Sequence, residues 1–329
     1  MKTWSDFESI LADGIRGFLG HKRALGKKYR GEEEYFRLLD RYLMEQQVTT
    51  ITAITPALID AFLVSRPYEP RTFNTHIALL RRLFDWLVLQ AMVPESPVQA
   101  RRRPNRPPLQ PFIFSSAEIQ RLLEAAAQLP PHRRLCHRGE TYRLAFAMMY
   151  GLGLRVGEVA RLCRQDVDFA RQALLIRKTK FAKSRLVPLG PKLAAEIDAY
   201  MQLGAQCCGH LHPEHPLLSF HLDKTRPIFR KSISRGFHAL IPSLGLTLAP
   251  GVAYPRAHHL RHSFAVNTLL RWYRQGANPA QHLLHLSTFL GHVDPTSTAV
   301  YLTITVDLLH EAGHRFERFA APVLQEMAP

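Results

Sequence analysis

The chain has 329 residues, 46% of them hydrophobic, with a formal charge of +16 and a pI near 10.1. That length and apolar content suffice for two domains with proper cores, which excludes disorder as the default state. The positive excess implies a polyanionic partner, either nucleic acid or an anionic membrane surface.

Hydropathy argues against the membrane, because no apolar run approaches the roughly 18 residues a spanning helix needs. Asp6, Glu8 and Asp13 interrupt the segment Met1 to Arg30, so it reads as neither a signal peptide nor an anchor, and a cytoplasmic location is expected. Cys136, Cys163, Cys207 and Cys208 show no disulfide-scaffold spacing, which fits a reducing compartment.

Residues 1–98 read as helices throughout. Apolar residues recur at helical spacing in Tyr35-Leu38-Leu39-Tyr42-Leu43 and in Ile77-Leu80-Phe84-Leu87. Between Ser96 and Pro111 the character changes to Arg101-Arg102-Arg103-Pro104-Asn105-Arg106-Pro107-Pro108, where prolines forbid a helix and arginines repel one another. Residues 99–111 are therefore expected to link two domains, 1–98 and 112–329.

A capping box at Ser115 and Glu118 opens the second domain ahead of Ile119, Leu122 and Leu123. A further helix runs to Tyr150 and stops at Gly151-Leu152-Gly153. The next is expected from about Leu154, with Val156, Val159, Ala160 and Cys163 on its buried stripe and Arg155 left at the turn.

Leu174-Leu175-Ile176 and Arg185-Leu186-Val187 then predict a β-hairpin whose tip carries Lys178, Lys180 and Lys183. Helical patterns dominate to the end, and there is no internal repeat. The fold class expected is mainly α: a helical first domain, then a mixed α+β second domain with a small antiparallel sheet.

Three groups could carry chemistry. Arg155 and Arg261 suit phosphate oxygens, since a planar guanidinium binds them bidentately and keeps its charge, although any single arginine could be a solvated surface residue. His258 lies one turn from Arg261 on a helix starting just after Pro255, so both share a face, while Leu260 and Phe264 hold another against the core. Alone, His258 could equally be a polar helix-end residue.

His292 and Tyr301 would fall on opposite faces of one continuous helix. Asp294 has N-cap chemistry and Pro295 suits a first helical position, so a new helix beginning there would carry Tyr301 on its second turn, with His292 ending the previous segment.

Gly153-Leu154-Arg155-Val156-Gly157-Glu158, Lys180, His258-x-x-Arg261 and Leu290-Gly291-His292 with Tyr301 together resemble the tyrosine recombinase (phage integrase) family, across residues 112 to about 305. The helical N-terminal region resembles that family's core-binding domain more loosely.

The resemblance implies that Tyr301 is the nucleophile and becomes joined to a 3′ phosphate without ATP or metal. Arg155 and Arg261 would stabilise the transition state, and Lys180 would be the general acid toward the leaving 5′ oxygen. His258 would assist proton transfer around Tyr301, His292 would bond a phosphate oxygen, and Glu158 would support the site from behind. Continuation through Ser184-Arg185-Leu186-Val187-Pro188-Leu189 selects Lys180 among the tip lysines, although Thr179 and Phe181 flank it where many relatives have glycine.

The family reading implies double-stranded DNA sites as partners, a homotetramer on synapsed DNA, and service to a mobile element by integration, excision or transposition. No cofactor, metal or membrane is expected. The rivals are a type IB topoisomerase and a binding-only protein with a dead site.

Candidate DNA contacts are Lys27 and Lys28 within a basic surface, Arg71, Asn74, Thr75, Arg81 and Arg82 on a groove-facing helix, and Arg101, Arg102, Arg103 and Arg106 in the linker. All could instead be solvated faces. Cys207-Cys208-Gly209-His210-Leu211-His212-Pro213-Glu214-His215 has zinc-ligand chemistry without zinc-site spacing, and Gly20 to Lys28 departs from a phosphate loop. The tail residues Leu308, Leu309, Phe316, Phe319 and Val323 could dock on a neighbouring protomer or on their own domain.

Overall fold

A computed structural model describes residues 6–303 apart from 106, 108, 131, 133–134, 136, 178–183, 210, 222, 293 and 295, together with 310–311, 313–314 and 317. Lys178, Lys180, Lys183, Arg106 and the five apolar tail residues named above lie outside the described residues. Contacts divide the chain into two compact units, 1–108 and 109–329.

Among its described residues the first unit contains four α-helices: α1 (Ala12–Ala24), α2 (Arg30–Glu45), α3 (Pro56–Val64) and α4 (Pro70–Leu89). Thr55 accepts from the Leu58 N–H and Pro56 follows it, so α3 begins with a satisfied N-cap and a proline where no amide donor is needed. The expected stripe on α4 is the core itself, since Ile77, Leu80, Phe84 and Leu87 have no exposed surface. They close against Phe18, Phe36, Leu39, Leu43 and Ile59.

The back of α4 holds the proline-rich segment. Asn74 donates from Nδ2 to the Arg103 carbonyl at 2.8 Å and accepts the Arg103 N–H at Oδ1 at 2.8 Å, while Arg81 donates to the Ala100 carbonyl at 2.8 Å. The Arg103 guanidinium lies 3.6 Å from the centre of the Phe73 ring. A chain that cannot form a helix thus has its backbone groups satisfied by side chains of its neighbour.

The second unit is built around α6 (Arg138–Gly151), which packs against α5 (Ser116–Ala127), α8 (Pro191–Cys208), α9 (Arg230–Leu240) and α10 (Ala257–Arg274). A helix segment that is enclosed is apolar on all sides, and in its later turns Leu144, Ala145, Phe146, Met148 and Met149 are all buried. The capping box of α5 is present, with Ser115 N–H donating to Glu118 Oε2 at 2.8 Å and Ser115 Oγ accepting from the Glu118 N–H at 3.3 Å.

The helix after Gly153 is a single turn, α7 (Val156–Val159), and this corrects the expectation for Cys163. Cys163 donates its N–H to Asp166 Oδ2 at 2.8 Å and opens a tight 3-10 turn instead, so its thiol is half-buried rather than part of the core. The competing cap ends the helix before its apolar stripe does.

A three-stranded antiparallel sheet follows: β1 (Val167–Asp168), β2 (Ala173–Ile176) and β3 (Arg185–Pro188), in that order. Leu174 pairs with Val187 and Ile176 with Arg185. The faces alternate as a half-buried strand requires, with Val187 buried and Leu186 67% exposed. Further along come α11 (Pro279–Leu290) and α12 (Thr296–Ala299), which tightens into a 3-10 turn, Val300–Thr303. Among the described residues no helix is long and apolar enough to cross a membrane.

Candidate active site

Two sharp turns in the second unit supply the scaffold. Gly153 and Gly291 both have left-handed backbones, φ +57° and +67°, so each turns the chain at the end of a helix and leaves carbonyls pointing outward. Arg261 is 1% exposed, and its fork takes both sets: Nη1 donates to the Gly153 carbonyl at 2.6 Å and Nη2 to the Leu290 carbonyl at 2.7 Å. Arg155 approaches from the other side, donating to the carbonyls of Leu290 at 3.3 Å and Gly291 at 3.1 Å. Helix-end carbonyls, being partially negative, thus hold two guanidiniums that would otherwise repel one another.

Glu158 completes the support. It accepts from Arg155 Nη1 at 2.9 Å and from the Arg155 N–H at 2.9 Å, and it takes both arms of Arg185 at 2.9 and 3.0 Å. Burial alone would raise its carboxyl, but the Arg185 fork, then Arg155, outweigh burial and bring it down to about 2. Arg185 also donates from Nε to the Phe289 carbonyl at 2.9 Å, so it ties β3 to the end of α11. The sequence presented Arg185 only as a hairpin landmark; the signal for its role is a charged residue two positions before Val187, on the face of the strand that is turned to the core.

The helix break before Tyr301 is present. Asp294 accepts the Thr296 N–H at 2.9 Å and also takes the Thr296 hydroxyl, while Pro295 lies outside the described residues. Tyr301 falls on the second, tighter turn and is 3% exposed, packed with Val266, Leu269, Leu286 and Leu290. His292 Nδ1 pairs with Thr298 Oγ1 at 2.6 Å, and its ring stacks 6.4 Å from Tyr301. Burial raises the Tyr301 phenol, and the charges of Arg261 and Arg155 oppose that.

The described members of the predicted set therefore converge: Arg155, His258, Arg261, His292 and Tyr301, with Glu158 behind. Tyr301 Oη meets His262 Nδ1 at 2.9 Å, a partner that sequence reasoning passed over in favour of His258. His258 instead lines a cleft of about 590 Å³ with Arg155. His258 itself is exposed at this cleft. Desolvation, then Arg261 and Arg155, lower its imidazole to about 4.

His292 is likewise held at about 4 by burial and the same two arginines. Arg261 is lowered to about 9 by burial and by Arg155, and remains cationic at neutral pH. The site at rest thus combines neutral imidazoles with charged guanidiniums, an arrangement suited to an incoming anion.

The cleft's far wall is α9, which buries Ile233, Phe237 and Leu240 and presents Arg230, Lys231, Arg235 and His238 to the opening. These residues were not singled out from the sequence; their signal is an amphipathic helix whose polar side is almost wholly basic.

Of the first unit's candidates, Asn74 and Arg81 face the proline-rich segment as described, whereas Lys27, Lys28, Arg71, Thr75 and Arg82 are exposed, as are Arg101 and Arg102. In the cysteine and histidine segment, Cys207 Sγ lies 3.2 Å from His137 Nε2 and the rings of His212 and His215 are 6.0 Å apart. Among the described residues no three potential ligands gather around one point.

Two arginine forks, neutral imidazoles and a buried tyrosine thus lie together beside a basic cleft, a grouping suited to an anion such as phosphate. The profile described as the phage integrase family matches residues 113–307. Among curated relatives, y4rE of Sinorhizobium fredii, named with integrases and recombinases, is 31% identical over 94% of this chain and 96% of its own. From the same organism, y4rB, likewise named with integrases and recombinases, is 40% identical over 66% and 68% of the respective chains. Tyrosine recombinase XerA of Thermococcus kodakarensis is 29% identical over 78% of each.

The chain belongs to the phage integrase family of tyrosine recombinases, enzymes that cleave and rejoin DNA. Solved structures share its fold. They include a lambda integrase dimer bound to a core site (TM-score 0.61, 17% identity, 88% of this chain and 94% of that one). The Tn1549 transposon integrase with circular intermediate DNA is another (TM-score 0.63, 14% identity, 92% and 99%).

Proposed function

We propose that this protein is a site-specific recombinase that cuts DNA by attack of Tyr301 on a phosphodiester, forming a 3′-phosphotyrosyl bond that is later resealed. The carrying observation is the convergence of Tyr301 with Arg155, Arg261, His258 and His292 from four separate chain segments beside a basic cleft.

In this reading Arg155 and Arg261 neutralise the non-bridging oxygens as negative charge develops, their forks already oriented by the Gly153, Leu290 and Gly291 carbonyls. His258 and His292 donate to the same phosphate, and Lys180 protonates the leaving 5′ oxygen. The phosphotyrosyl bond conserves the energy of the broken bond, so rejoining requires no nucleotide and no metal step. The basic face of α9 and the exposed cations of the first unit hold the duplex by its phosphates.

Cleavage, exchange and rejoining of paired sites calls for four protomers. The lambda integrase tetramer on a Holliday junction and the Tn1549 integrase, both similar in fold, support assembly as a tetramer and service to a mobile element.

The test begins with selection of a binding site from random duplexes by Tyr301→Phe protein. A nicked duplex carrying that site, which releases the short 5′ fragment, should trap a covalent adduct with the parent chain and none with Tyr301→Phe. Absence of adduct with both would refute the reading. Relaxation of supercoiled plasmids that lack the site would instead favour a topoisomerase.

A further inference from the structure

The nucleophile's immediate partner is not among the residues that the motif supplies. His262 directly follows Arg261 on α10 and lies one turn beyond His258. Its Nδ1 is 2.9 Å from Tyr301 Oη. A buried phenol needs a hydrogen-bond partner, and a serine or a carbonyl would satisfy it as well. Here the partner is a titratable base, and in the tautomer that leaves Nδ1 bare it accepts the one proton that attack must remove.

The other imidazoles are committed elsewhere. His292 Nδ1 is turned to Thr298, and His258 faces the cleft with Arg155, its ring edge-on to that of His262 at 4.8 Å. The groups around His262 also fix its resting charge. Burial, then His258, His259 and Arg261 on α10 and His292 after α11, hold its imidazole at about 3, so it is neutral at rest. A phosphate seated against Arg155 and Arg261 offsets their charge and raises the proton affinity of the imidazole when it is needed.

We propose that His262 is the general base for Tyr301, with His258 serving the phosphate. This rests on Tyr301 being the nucleophile. As the Oη–P bond forms, the phenolic O–H bond breaks and its proton passes to Nδ1. The P–O5′ bond breaks, and the 5′ oxygen leaves as a hydroxyl with a proton from the general acid, Lys180 in the reading above. In rejoining, the 5′ hydroxyl attacks, its proton returns to the general acid, and His262 gives its proton back to Tyr301.

The test uses the full chain and the selected nicked duplex. His262→Ala and His262→Asn are expected to slow adduct formation by about 10²–10³, the range for loss of a general base. Binding of the same duplex by each change in a Tyr301→Phe background should stay within about threefold. Asn can keep a hydrogen bond to Tyr301 but cannot take its proton, so a purely positioning role predicts recovery in His262→Asn and a base role predicts none.

Two further readouts bear on the side of the reaction. A 5′-bridging phosphorothiolate, whose sulfur leaves without a proton, should rescue Lys180→Ala but not His262→Asn. The rate of His262→Asn should also climb with pH from 6 to 9 as the phenol ionises unaided, while the parent rate stays flat over that range. Adduct rates within about threefold of the parent, recovery in His262→Asn, or rescue by the phosphorothiolate would each overturn the proposal. If the parent chain itself forms no Tyr301-dependent adduct, the nucleophile reading fails first, and that outcome is visible in the same gel.

Discussion

Glu158 is the residue on which the resting site depends most, and Glu158→Gln isolates its charge. Glutamine has the shape of the neutral acid, so the substitution is close to protonating the carboxyl in place. That carboxyl is held at about 2 against an ordinary 4.5. At roughly 1.4 kcal/mol per tenfold change in proton affinity, the difference corresponds to about 3 kcal/mol in favour of the charged form. The side chain is 2% exposed, so solvent screens little of it. The figure agrees with the roughly 3–5 kcal/mol expected when one partner of a buried ion pair is removed and the other is left uncompensated; here that partner is Arg185, 11% exposed.

For a unit of this size, about 3 kcal/mol lowers the melting temperature by roughly 6–12 °C. Scanning calorimetry of the parent chain and Glu158→Gln, following the transition of the second unit, measures it. Because the folded carboxyl titrates below its ordinary range, its stabilisation is complete above about pH 4.5 and lost as pH falls through about 2. The gap between the two proteins should therefore shrink to less than half by pH 3. A gap under about 1 °C at pH 7, or one that is unchanged at pH 3, would refute the reasoning.

Gly291→Ala places a Cβ 2.8 Å from Arg185 Nη1 at a φ of +67°, and Arg185 cannot yield because Glu158 and Phe289 hold it. A loss of about 1–3 kcal/mol is expected and is measured by the same calorimetry; an unchanged melting point would contradict it. Arg261→Lys cannot reproduce the two bonds to Gly153 and Leu290, so adduct formation should fall by about 10² or more while duplex affinity changes only a few-fold.

Acid should destabilise the second unit. His258, His262 and His292 are held at about 4, 3 and 4, against 6.5 when exposed, so below about pH 6.5 the unfolded chain takes up protons that the folded chain excludes. The melting temperature should fall between pH 7 and pH 5, and a flat or rising profile would count against these assignments.

Much of the fold was legible because it obeys local periodicity. The α4 stripe, the capping box at Ser115 and the antiparallel pair β2 and β3 each state their structure within a few residues. The Tyr301 turn was legible for the same reason, through Asp294.

The failures share a cause of another kind. Cys163 continues the apolar spacing of α7, yet a side-chain bond from Asp166 ends the helix four residues earlier. Nothing in the sequence signalled the bonds that Asn74 and Arg81 make within the chain, because their partners, Arg103 and Ala100, lie 29 and 19 residues away. Arg185 lay within a recognised stretch and His262 directly beside one, but their roles depend on Glu158 and Tyr301, 27 and 39 residues distant. Pattern identifies which face of an element is buried; it does not say which polar group meets it from elsewhere in the chain.

The central claim is that one tyrosine attacks DNA, and peptide mapping of the trapped adduct tests it most directly. Protease and nuclease digestion of the complex between the parent chain and the nicked duplex, followed by tandem mass spectrometry, locates the nucleotide remnant. The account predicts a 3′-phosphonucleotide on Tyr301 and on no other residue. A remnant on another side chain, or one joined through a 5′ phosphate, would contradict it.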